Sequence, residues 1–418
     1  MQAPTNSAKH VIVIGAGIVG VCAALSLRRD GHDVTLIDRG APGEGTSFGN
    51  GSVITPDSVT PVAMPGILWR VPGMLLDPLG PLRVRWSYLP RLTPWLLRFV
   101  AASGPKRVEA LSIALANLHK GAVEAYAPLT AMAGADDMVR RSGWVCVYES
   151  EAEFQASQDI LELERRRGIR FEVLDAAELR QLEPSLAPIF SRAVFYPDTA
   201  HTVNNFRLVQ VLAGALQQHG GRLLRSEVRG FGLGEGGVSA VETGAGRQAC
   251  DAVVVAAGAW SRPLCRQLGS DPPLDTERGY HLTVGEPGVL PRLPVYSNKR
   301  AFVATPIETG LRLAGTVELG GLEAPPDWRR ADVLMTHAKR WLPGLQDKSV
   351  TRWMGHRPSL PDSVPVISGS PRHANAYFAF GHGHCGLGLG ARTGALVAAL
   401  VAGRDPGIDM TPYRIDRF

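Results

Sequence analysis

The first forty residues carry an apolar pattern that predicts a strand, a helix and a second strand. Residues 11–14 form a continuous apolar run, which is typical of a strand buried on both faces of a parallel sheet. Residues 18–29 have apolar positions at helical spacing, and Gly31 follows as a helix stop signal. Val34, Leu36 and Ile37 indicate a second strand, which ends at Asp38. The pattern therefore predicts a parallel βαβ unit.

The turn inside this unit carries the chemistry of a dinucleotide site. Its sequence is Gly15-Ala16-Gly17-Ile18-Val19-Gly20. The glycines permit a tight turn and close packing, and the helix N-terminus offers unpaired N–H groups to phosphates. Asp38 is placed to accept hydrogen bonds from ribose hydroxyls, which disfavours a bound 2′-phosphate, and Arg39 follows it.

A loop over residues 43–52 helps to distinguish a flavin dinucleotide from a nicotinamide dinucleotide. Small and hydroxylic residues suit a chain that runs along a pyrophosphate towards a flavin, whereas a nicotinamide dehydrogenase has no need of such a loop. An ordinary flexible loop is the alternative. The candidate cofactor contacts in this loop are Thr46, Ser47, Asn50 and Gly51.

Beyond residue 56 the elements no longer repeat the βαβ pattern. Helices are predicted over 110–126 and 151–167, with a strand over 143–148, which favours an α+β domain. The apolar helix 204–218 and the apolar run 253–257 then indicate a return to the first domain.

The C-terminal half continues this alternation between two domains. Strand-like, proline-rich sequence over 272–312 indicates a second visit to the α+β domain. Residues 364–394 predict a strand, a glycine-rich loop and a helix.

Composition and charge narrow the class of protein. The chain has 418 residues, 45% hydrophobic and 20% charged, with a net charge of +5. No apolar run reaches the length of a membrane span, and residues 1–10 lack the apolar core of a secretory signal, so a cytoplasmic location is expected. The five cysteines form no metal-ligand pattern. The basic residues match no nucleic-acid-binding motif, so nucleic acid is not expected as a partner.

The segment 67–107 combines basic residues with tryptophan, leucine and proline. One interpretation is a peripheral membrane contact at the inner face, as expected for an enzyme that passes electrons to a quinone. The other is a helical lid or subunit contact over the pocket. Prolines at 72, 78, 81, 90 and 94 rule out one long interfacial helix and favour the lid slightly.

Several motifs, in order along the chain, resemble the D-amino-acid oxidase superfamily, and within it the bacterial D-amino-acid dehydrogenases. Besides the N-terminal unit and the loop that follows it, these motifs are Val255-Ala256-Ala257-Gly258-Ala259-Trp260-Ser261, Arg278-Gly279-Tyr280-His281, Trp353-Met354-Gly355-His356-Arg357-Pro358 and Gly381-His382-Gly383-His384. Together they cover nearly the whole chain.

The resemblance implies an α/β Rossmann-like FAD-binding domain plus an α+β substrate domain with a mixed sheet. We expect the FAD-binding domain at 9–58, 195–265 and 350–412, and the substrate domain at 59–194 and 266–349. The further cofactor contacts implied are Val228, Ala257, Gly258, Gly381, His382, Gly383, Gly386 and Leu387. Trp353–Met354 stands roughly where some relatives carry a cysteine attachment, so FAD is expected to bind non-covalently.

The resemblance also implies the catalytic residues. Arg357 would bind a substrate carboxylate through its bidentate fork, the alternative being an ion pair with a carboxylate such as Asp362. Tyr280 would offer its hydroxyl to the carboxylate or amine, the alternative being a half-buried strand tyrosine. His384 would line the substrate pocket, although a lone histidine is commonly a satisfied polar group.

The implied reaction is oxidative deamination of a D-amino acid, or of a cyclic imino acid such as proline or hydroxyproline. Hydride passes from Cα to the flavin, and water converts the imine into a keto acid and ammonia. The expected acceptor is a quinone or other carrier. Two alternatives stay open: a glycine- or sarcosine-type oxidase that makes hydrogen peroxide, and a flavoprotein subunit that needs a partner.

Overall fold

A computed structural model describes residues 8–418. Residues 1–7 lie outside the described residues. They include most of the segment from which we expect no secretory signal. Among residues 8–418, no helix combines the length and the apolar character that a membrane crossing requires.

The strands of the described chain, in order, are β1 His10–Ile14, β2 Asp33–Asp38, β3 Val53–Ile54, β4 Leu82–Val84, β5 Val139–Arg140, β6 Trp144–Tyr148, β7 Glu172–Asp175, β8 Arg192–Tyr196, β9 Ala200–Thr202, β10 Arg222–Arg225, β11 Val228–Gly234, β12 Gly237–Thr243, β13 Gly246–Ala249, β14 Ala252–Val255, β15 Asp275–Glu286, β16 Val295–Ser297, β17 Phe302–Ile307, β18 Gly310–Leu319, β19 Lys348–Ser359, β20 Val366–Gly369 and β21 Ala376–Phe380.

The α-helices of the described chain are α1 Ile18–Arg29, α2 Ile67–Leu76, α3 Leu89–Ala102, α4 Pro105–His119, α5 Ala127–Ala133, α6 Glu151–Gln155, α7 Gln158–Arg166, α8 Ala176–Leu182, α9 Asn205–Gln218, α10 Ser261–Gln267, α11 Arg329–Trp341 and α12 Gly386–Val401.

A six-stranded sheet forms the core of the first domain, in the order β10-β2-β1-β14-β21-β20. Its strands are parallel except that β20 runs antiparallel to β21. Val13 on the central strand pairs in register with Leu36 on one side and Val254 on the other. The βαβ unit predicted over residues 11–38 is therefore present at the centre of this sheet.

The two faces of this sheet are covered by different elements. Val11 and Val13 point into a core shared with α1, α9 and α12, whereas Ile12 and Ile14 point into a core shared with the antiparallel β11–β12–β13 sheet. Burying each such side chain contributes about 1.5–3 kcal/mol. Helices α1 and α12 pack closely where Gly394 faces Cys22. A Cβ at position 394 would lie 2.6 Å from the Cys22 carbonyl oxygen, so only glycine permits this approach.

The second domain is built on a mixed sheet, in the order β19-β15-β18-β17-β16-β6-β8-β7, with β4 paired to β18. Leu282, Leu313 and Leu334 pack in the core between this sheet and α11. The opposite face carries Glu277 and Gly279 on β15. Their partners on β19 are Arg357 and Gly355. That face is the one from which the candidate site is built.

Two of the expected domain boundaries need correction. Residues 350–359, which the sequence analysis assigned to the FAD-binding domain, lie in β19 and pair with β15 in the mixed sheet. Tyr196 lies in β8 of the same sheet, so the boundary expected at 195 also falls inside a strand. The error has a physical cause: the β19 motif serves both domains, because it belongs to one sheet and lines a cavity formed largely by the other domain.

The segment 67–107 folds as α2, β4, a short 3₁₀ turn and α3. Pro72 and Pro94 lie inside the two helices, and the segment forms no single long helix, as its prolines predict. Trp95 packs with Leu92 and Leu319, which anchors α3 to the mixed sheet. The segment also leaves Trp69 90% exposed.

Candidate active site

The glycine turn after β1 brings helix α1 unusually close to the sheet. Gly15 has φ +108°, and its N–H donates to the Ile37 carbonyl oxygen at 2.8 Å. A Cβ at Gly15 would lie 2.4 Å from the Ala256 carbonyl oxygen, and one at Gly20 would lie 1.8 Å from the Gly15 oxygen. Both positions therefore require glycine, and in the first turn of α1 the Val19 and Gly20 N–H groups have no partner among the described residues, whereas that of Ile18 donates to Ser47.

Asp38 ends β2 with its carboxylate held in a fixed orientation. One oxygen accepts the Ala16 N–H at 2.7 Å and the other accepts the Gly40 N–H at 2.9 Å. The next residue, Arg39, stacks over the Trp260 ring with its guanidinium carbon 4.5 Å from the centroid. A carboxylate oxygen accepts more than one hydrogen bond, so Asp38 retains capacity for ribose hydroxyls.

These elements surround a cavity of about 580 Å³, here called the central cavity. Its volume lies in the range of ligand and cofactor sites. The sequence-predicted residues that line it are Gly15, Gly17, Ile18, Val19, Asp38, Arg39, Thr46, Ser47, Asn50, Val228, Ala257, Gly258, His382, Gly383, Gly386 and Leu387. The fold thus brings together residues from widely separated segments.

Three of the predicted cofactor contacts, all glycines, do not line the central cavity. Gly20 packs against the turn, as described above. Gly381 has φ +85°, and a Cβ there would lie 2.3 Å from the Leu360 side chain. Gly51 offers its carbonyl oxygen to the Thr305 hydroxyl at 2.7 Å. The structure therefore gives these glycines packing roles next to the cavity.

The hydroxylic loop joins the two sides of the central cavity. The Ser47 hydroxyl accepts the Ile18 N–H at 2.9 Å, and Thr46 donates to a main-chain carbonyl of β19 at 2.8 Å. The Asn50 amide donates to the His384 carbonyl oxygen at 3.0 Å. This loop therefore fixes the glycine turn, β19 and the loop before α12 relative to one another.

His382 lies in the loop that opens α12. Its ring is buried and shares a hydrogen bond with the Thr393 hydroxyl at 2.9 Å. Burial lowers the pKa of His382 to about 3, so the ring is uncharged at neutral pH. It lines the central cavity as a satisfied neutral group at the N-terminal end of a helix.

Arg357 lies on the site-facing side of the mixed sheet, opposite Glu277 in the β15–β19 pairing. Its guanidinium lies over Gly279, where a Cβ would come within 2.4 Å of the guanidinium carbon. It donates to the Thr316 carbonyl oxygen at 2.9 Å and to the Gly315 oxygen at 3.2 Å.

An irregularity in strand β18 makes these carbonyls available. The pairing of β15 with β18 shifts register at this point, and Thr316 has φ +51°. Such bulges interrupt the ladder and re-aim the local backbone. Here the bulge holds Arg357 by two carbonyls, with other N–H groups of its fork left over. The alternative ion pair with Asp362 is not formed, because Asp362 bonds Arg417 at 2.9 Å.

Arg357, His384 and Tyr296 lie close enough together for the charge of Arg357 to interact with both of the other side chains, and this group is here called the arginine recess. Arg357 and Tyr296 are half-buried, whereas His384 is exposed. Desolvation, and then the Arg357 charge, lowers the pKa of His384 to about 4. Burial also lowers the pKa of Arg357, while Glu277 opposes that shift. The recess therefore places the Arg357 cation beside an uncharged imidazole, with the Glu277 carboxyl next to Arg357 on the neighbouring strand.

Sequence reasoning missed several members of this recess. Tyr296 stacks on Trp144 with ring centroids 4.9 Å apart, and the Trp144 indole donates to Asp57 at 3.1 Å. Tyr296 comes from a three-residue strand with no motif. Glu277 immediately precedes the Arg278–His281 motif, and strand alternation from Gly279 would have placed it on the same face.

The structure does not bring Tyr280 to the site. Its hydroxyl donates to Glu318 and accepts the Asp327 N–H at 2.9 Å, and its side chain is 1% exposed. The physical reason is strand alternation, which places Tyr280 on the face opposite Arg357. The prediction that Tyr280 contacts the substrate is corrected accordingly. His281 faces the site and stacks on Trp353 at 5.0 Å.

The chain matches the family model of FAD dependent oxidoreductases, DAO, over residues 10–400. The chain belongs to this family. It is 40% identical to a D-amino-acid oxidase of Bradyrhizobium diazoefficiens, over 98% of this chain and 99% of the relative. It is 33% identical to D-amino acid dehydrogenase 2 of Ralstonia nicotianae, over 98% of this chain and 100% of the relative.

Solved structures of DAO-type flavoenzymes share the fold. A glycine oxidase from Geobacillus kaustophilus matches with a TM-score of 0.75 and 22% identity, over 98% of this chain and 99% of that one. An L-proline dehydrogenase from P. horikoshii matches with a TM-score of 0.75 and 19% identity, over 98% of each chain. At these identities the likeness concerns the fold, which confirms the predicted FAD-binding and mixed-sheet domains.

The residues of this DAO-family chain fit FAD. The central cavity offers an anchored acceptor at Asp38, N–H groups at the start of α1 that are unpaired within the described chain, and a glycine at 17 whose Cβ position is open except for Ser47 at 3.2 Å. A second helix N-terminus, that of α12, opens at Gly386 in the same lining. We expect Asp38 to hold the ribose and the α1 turn to hold the pyrophosphate.

Asp38→Ala is expected to weaken FAD binding about ten- to hundredfold, because it removes charged hydrogen bonds worth ~1.5–3 kcal/mol. The turnover of the remaining holoenzyme should change much less. FAD titration of the apoprotein measures the dissociation constant. Asp33→Ala, at the exposed far end of the same strand, is the control. An unchanged dissociation constant in Asp38→Ala would contradict the ribose role.

Proposed function

We propose that this FAD-dependent oxidoreductase oxidises the Cα–N bond of a D-amino acid, or of a cyclic imino acid, to an imine that hydrolyses to a keto acid. The observation that carries the proposal is Arg357. It is a half-buried guanidinium, held by two carbonyls of the β18 bulge, with donors left over beside the exposed His384. The names of the two curated relatives support the same substrate class.

Two side chains of the arginine recess would bind different groups of the substrate. Arg357 would bind the substrate carboxylate, since its remaining N–H groups match a planar anion. His384, with a pKa near 4, stays uncharged at neutral pH and would accept or donate a hydrogen bond without repelling an ammonium group. When bound, FAD accepts the hydride from the substrate Cα.

The proposal is tested by measuring keto acid and ammonia formation from a panel of D-, L- and cyclic amino acids. We expect product from the D- or cyclic substrates and little from the L-enantiomers. Products from glycine or sarcosine alone would favour the glycine- or sarcosine-type alternative instead.

For the electron acceptor we propose a quinone or another carrier, with FAD bound non-covalently. The exposed apolar side chains Leu68, Trp69, Leu76 and Leu97 support a peripheral contact with the inner face of the membrane. Oxygen is the second candidate acceptor, because the relative at 40% identity is named an oxidase. Comparing peroxide formation with dye reduction under the same substrate separates the two acceptors.

Gly279→Ala is expected to lower kcat/KM for the amino-acid substrate about tenfold while FAD stays bound. The new methyl group would occupy the space of the Arg357 guanidinium, 2.4 Å from its carbon, and would push the fork off its two carbonyls. A 1 Å misplacement in an active site is costly. Gly285→Ala, in the same strand, meets Ser349 at 3.1 Å instead and serves as control. Equal losses in both variants would show a strand defect rather than displaced Arg357.

A further inference from the structure

A second cavity of about 820 Å³ lies in the substrate domain, between the chain around β4 and the chain leading into α11. Its charged lining residues are Arg83, Arg85, Arg329, Arg330, Glu318 and Asp327. We call it the arginine pocket. The neighbouring residues Arg278 and Tyr280 lie on the face of β15 opposite the active site. The proposed oxidation makes no use of this pocket.

Both carboxylates of the arginine pocket are already paired. Glu318 contacts Arg85 at 2.6 Å and Arg278 at 3.3 Å. Asp327 contacts Arg329 at 2.8 Å through both of its oxygens. Arg85 and Arg278 share one carboxylate, so this part of the pocket keeps an excess positive charge.

Arg83 and Arg330 add two further charges, and Asp327 and Glu318 offset that of Arg330 only in part. Among residues 8–418, neither takes part in an ion pair within 4 Å. Arg83 donates to the Leu75 carbonyl oxygen at 3.1 Å, and Arg330 donates to the Gly80 oxygen at 2.6 Å. Arg330 is 2% exposed, and its Nε has no hydrogen-bond partner among the described residues. Burial, and then the Arg83 charge, lowers the pKa of Arg330.

A buried guanidinium that lies next to a second cation and forms no ion pair is unfavourable unless an anion balances its charge. The lining has four guanidinium groups and two carboxylates, and this excess of two positive charges suits a multivalent anion better than a single carboxylate. A phosphate monoester carries a charge of about −1.5 to −2 at pH 7 and accepts bidentate hydrogen bonds from arginine. We propose that the arginine pocket is a binding site for a phosphate monoester.

Two sources of phosphate fit the surroundings of the pocket. Trp86 lines it and is 71% exposed, and Leu76, at the end of α2, is 82% exposed. A lipid headgroup would enter the pocket while these apolar side chains contact the acyl region. A free phosphorylated metabolite would bind in the pocket without any contact to these apolar side chains. The chemistry at the guanidinium groups is the same in both cases.

The test begins with inorganic phosphate titrated into the FAD-loaded enzyme by calorimetry, at constant ionic strength. The loaded enzyme is used because FAD then occupies the pyrophosphate site. We expect Arg83→Gln to raise the phosphate dissociation constant at least tenfold, with amino-acid turnover unchanged. Arg83 is half-buried with a single main-chain hydrogen bond, so the variant should fold, and a melting curve verifies that. Arg141→Gln removes the same charge from a residue outside the pocket and should leave phosphate binding unchanged.

The second arm uses vesicles of phosphatidic acid, with phosphatidylcholine vesicles as the reference. If Arg83→Gln weakens both phosphate and phosphatidic acid binding, the site is supported and takes a lipid headgroup. If only inorganic phosphate binding is weakened, the site is supported and takes a free phosphate compound. Absence of phosphate binding in the unaltered enzyme, or equal dissociation constants for it and Arg83→Gln, would overturn the proposal.

Discussion

Replacing Arg357 by leucine should lower kcat/KM for D-amino acids about ten- to 150-fold or more, while the FAD content stays normal. The variant removes the group proposed to bind the carboxylate, and a charged hydrogen bond is worth ~1.5–3 kcal/mol. If the pair is bidentate, the second lost hydrogen bond adds to this free-energy cost. Steady-state kinetics with a D-amino acid, together with the flavin-to-protein ratio, measures both effects.

Two comparisons make this prediction specific to carboxylate binding. An amine that lacks the carboxylate should be oxidised equally slowly by both proteins, because Arg357 has nothing to bind in it. Arg352→Leu, an exposed position on the same strand that pairs with Asp332, should retain normal kinetics. Unchanged kcat/KM in Arg357→Leu would contradict the assigned role.

Replacing Gly20 by alanine should yield a protein that purifies largely without flavin, with FAD affinity lowered about ten- to hundredfold or more. The added Cβ would lie 1.8 Å from the Gly15 carbonyl oxygen, and a backbone atom cannot move aside as a side chain can. Helix α1 would have to move away from the sheet, and with it the N–H groups that face the pyrophosphate. Overpacking of this kind costs about 1–3 kcal/mol or more.

A helical glycine in open space provides the matched control for Gly20. Gly214 lies in α9, and a Cβ there would meet no atom within 4 Å. Gly214→Ala should keep its flavin and gain up to about 1 kcal/mol in stability, because alanine is the better helix former. The flavin absorbance of the purified proteins and their melting temperatures distinguish the two variants. Normal flavin content in Gly20→Ala would contradict the close-packing argument.

The nucleotide half of the site could be predicted from the sequence because local physical constraints specify it. The helix bounds expected from periodicity, residues 18–29, agree with α1. The glycines and Asp38 are tied to one turn and one strand end, so their spacing along the chain carries their geometry. The motif-bearing residues of the C-terminal third reach the same cavity because β21 pairs with β14 in the central sheet.

The substrate half was harder to predict because it is assembled through tertiary contacts. Tyr280 was assigned to the site from its motif, yet the face of a strand depends on which side the sheet is packed. Tyr296 comes from a short strand, and its partner Trp144 lies about 150 residues away. A charged helix was predicted over 151–167, whereas the chain breaks into α6 and α7, since Ser157 turns back to the Phe154 carbonyl oxygen.

The central claim is that Arg357 and bound FAD form one site for amino-acid oxidation. It is tested most directly by mixing the FAD-loaded enzyme anaerobically with D-, L- and cyclic amino acids and following the flavin absorbance. We expect D- or cyclic amino acids to bleach the flavin within a single turnover, and the flavin of Arg357→Leu to bleach much more slowly at the same substrate concentration. An oxidised flavin that persists with every amino acid, or bleaching at the same rate in Arg357→Leu, would contradict this claim.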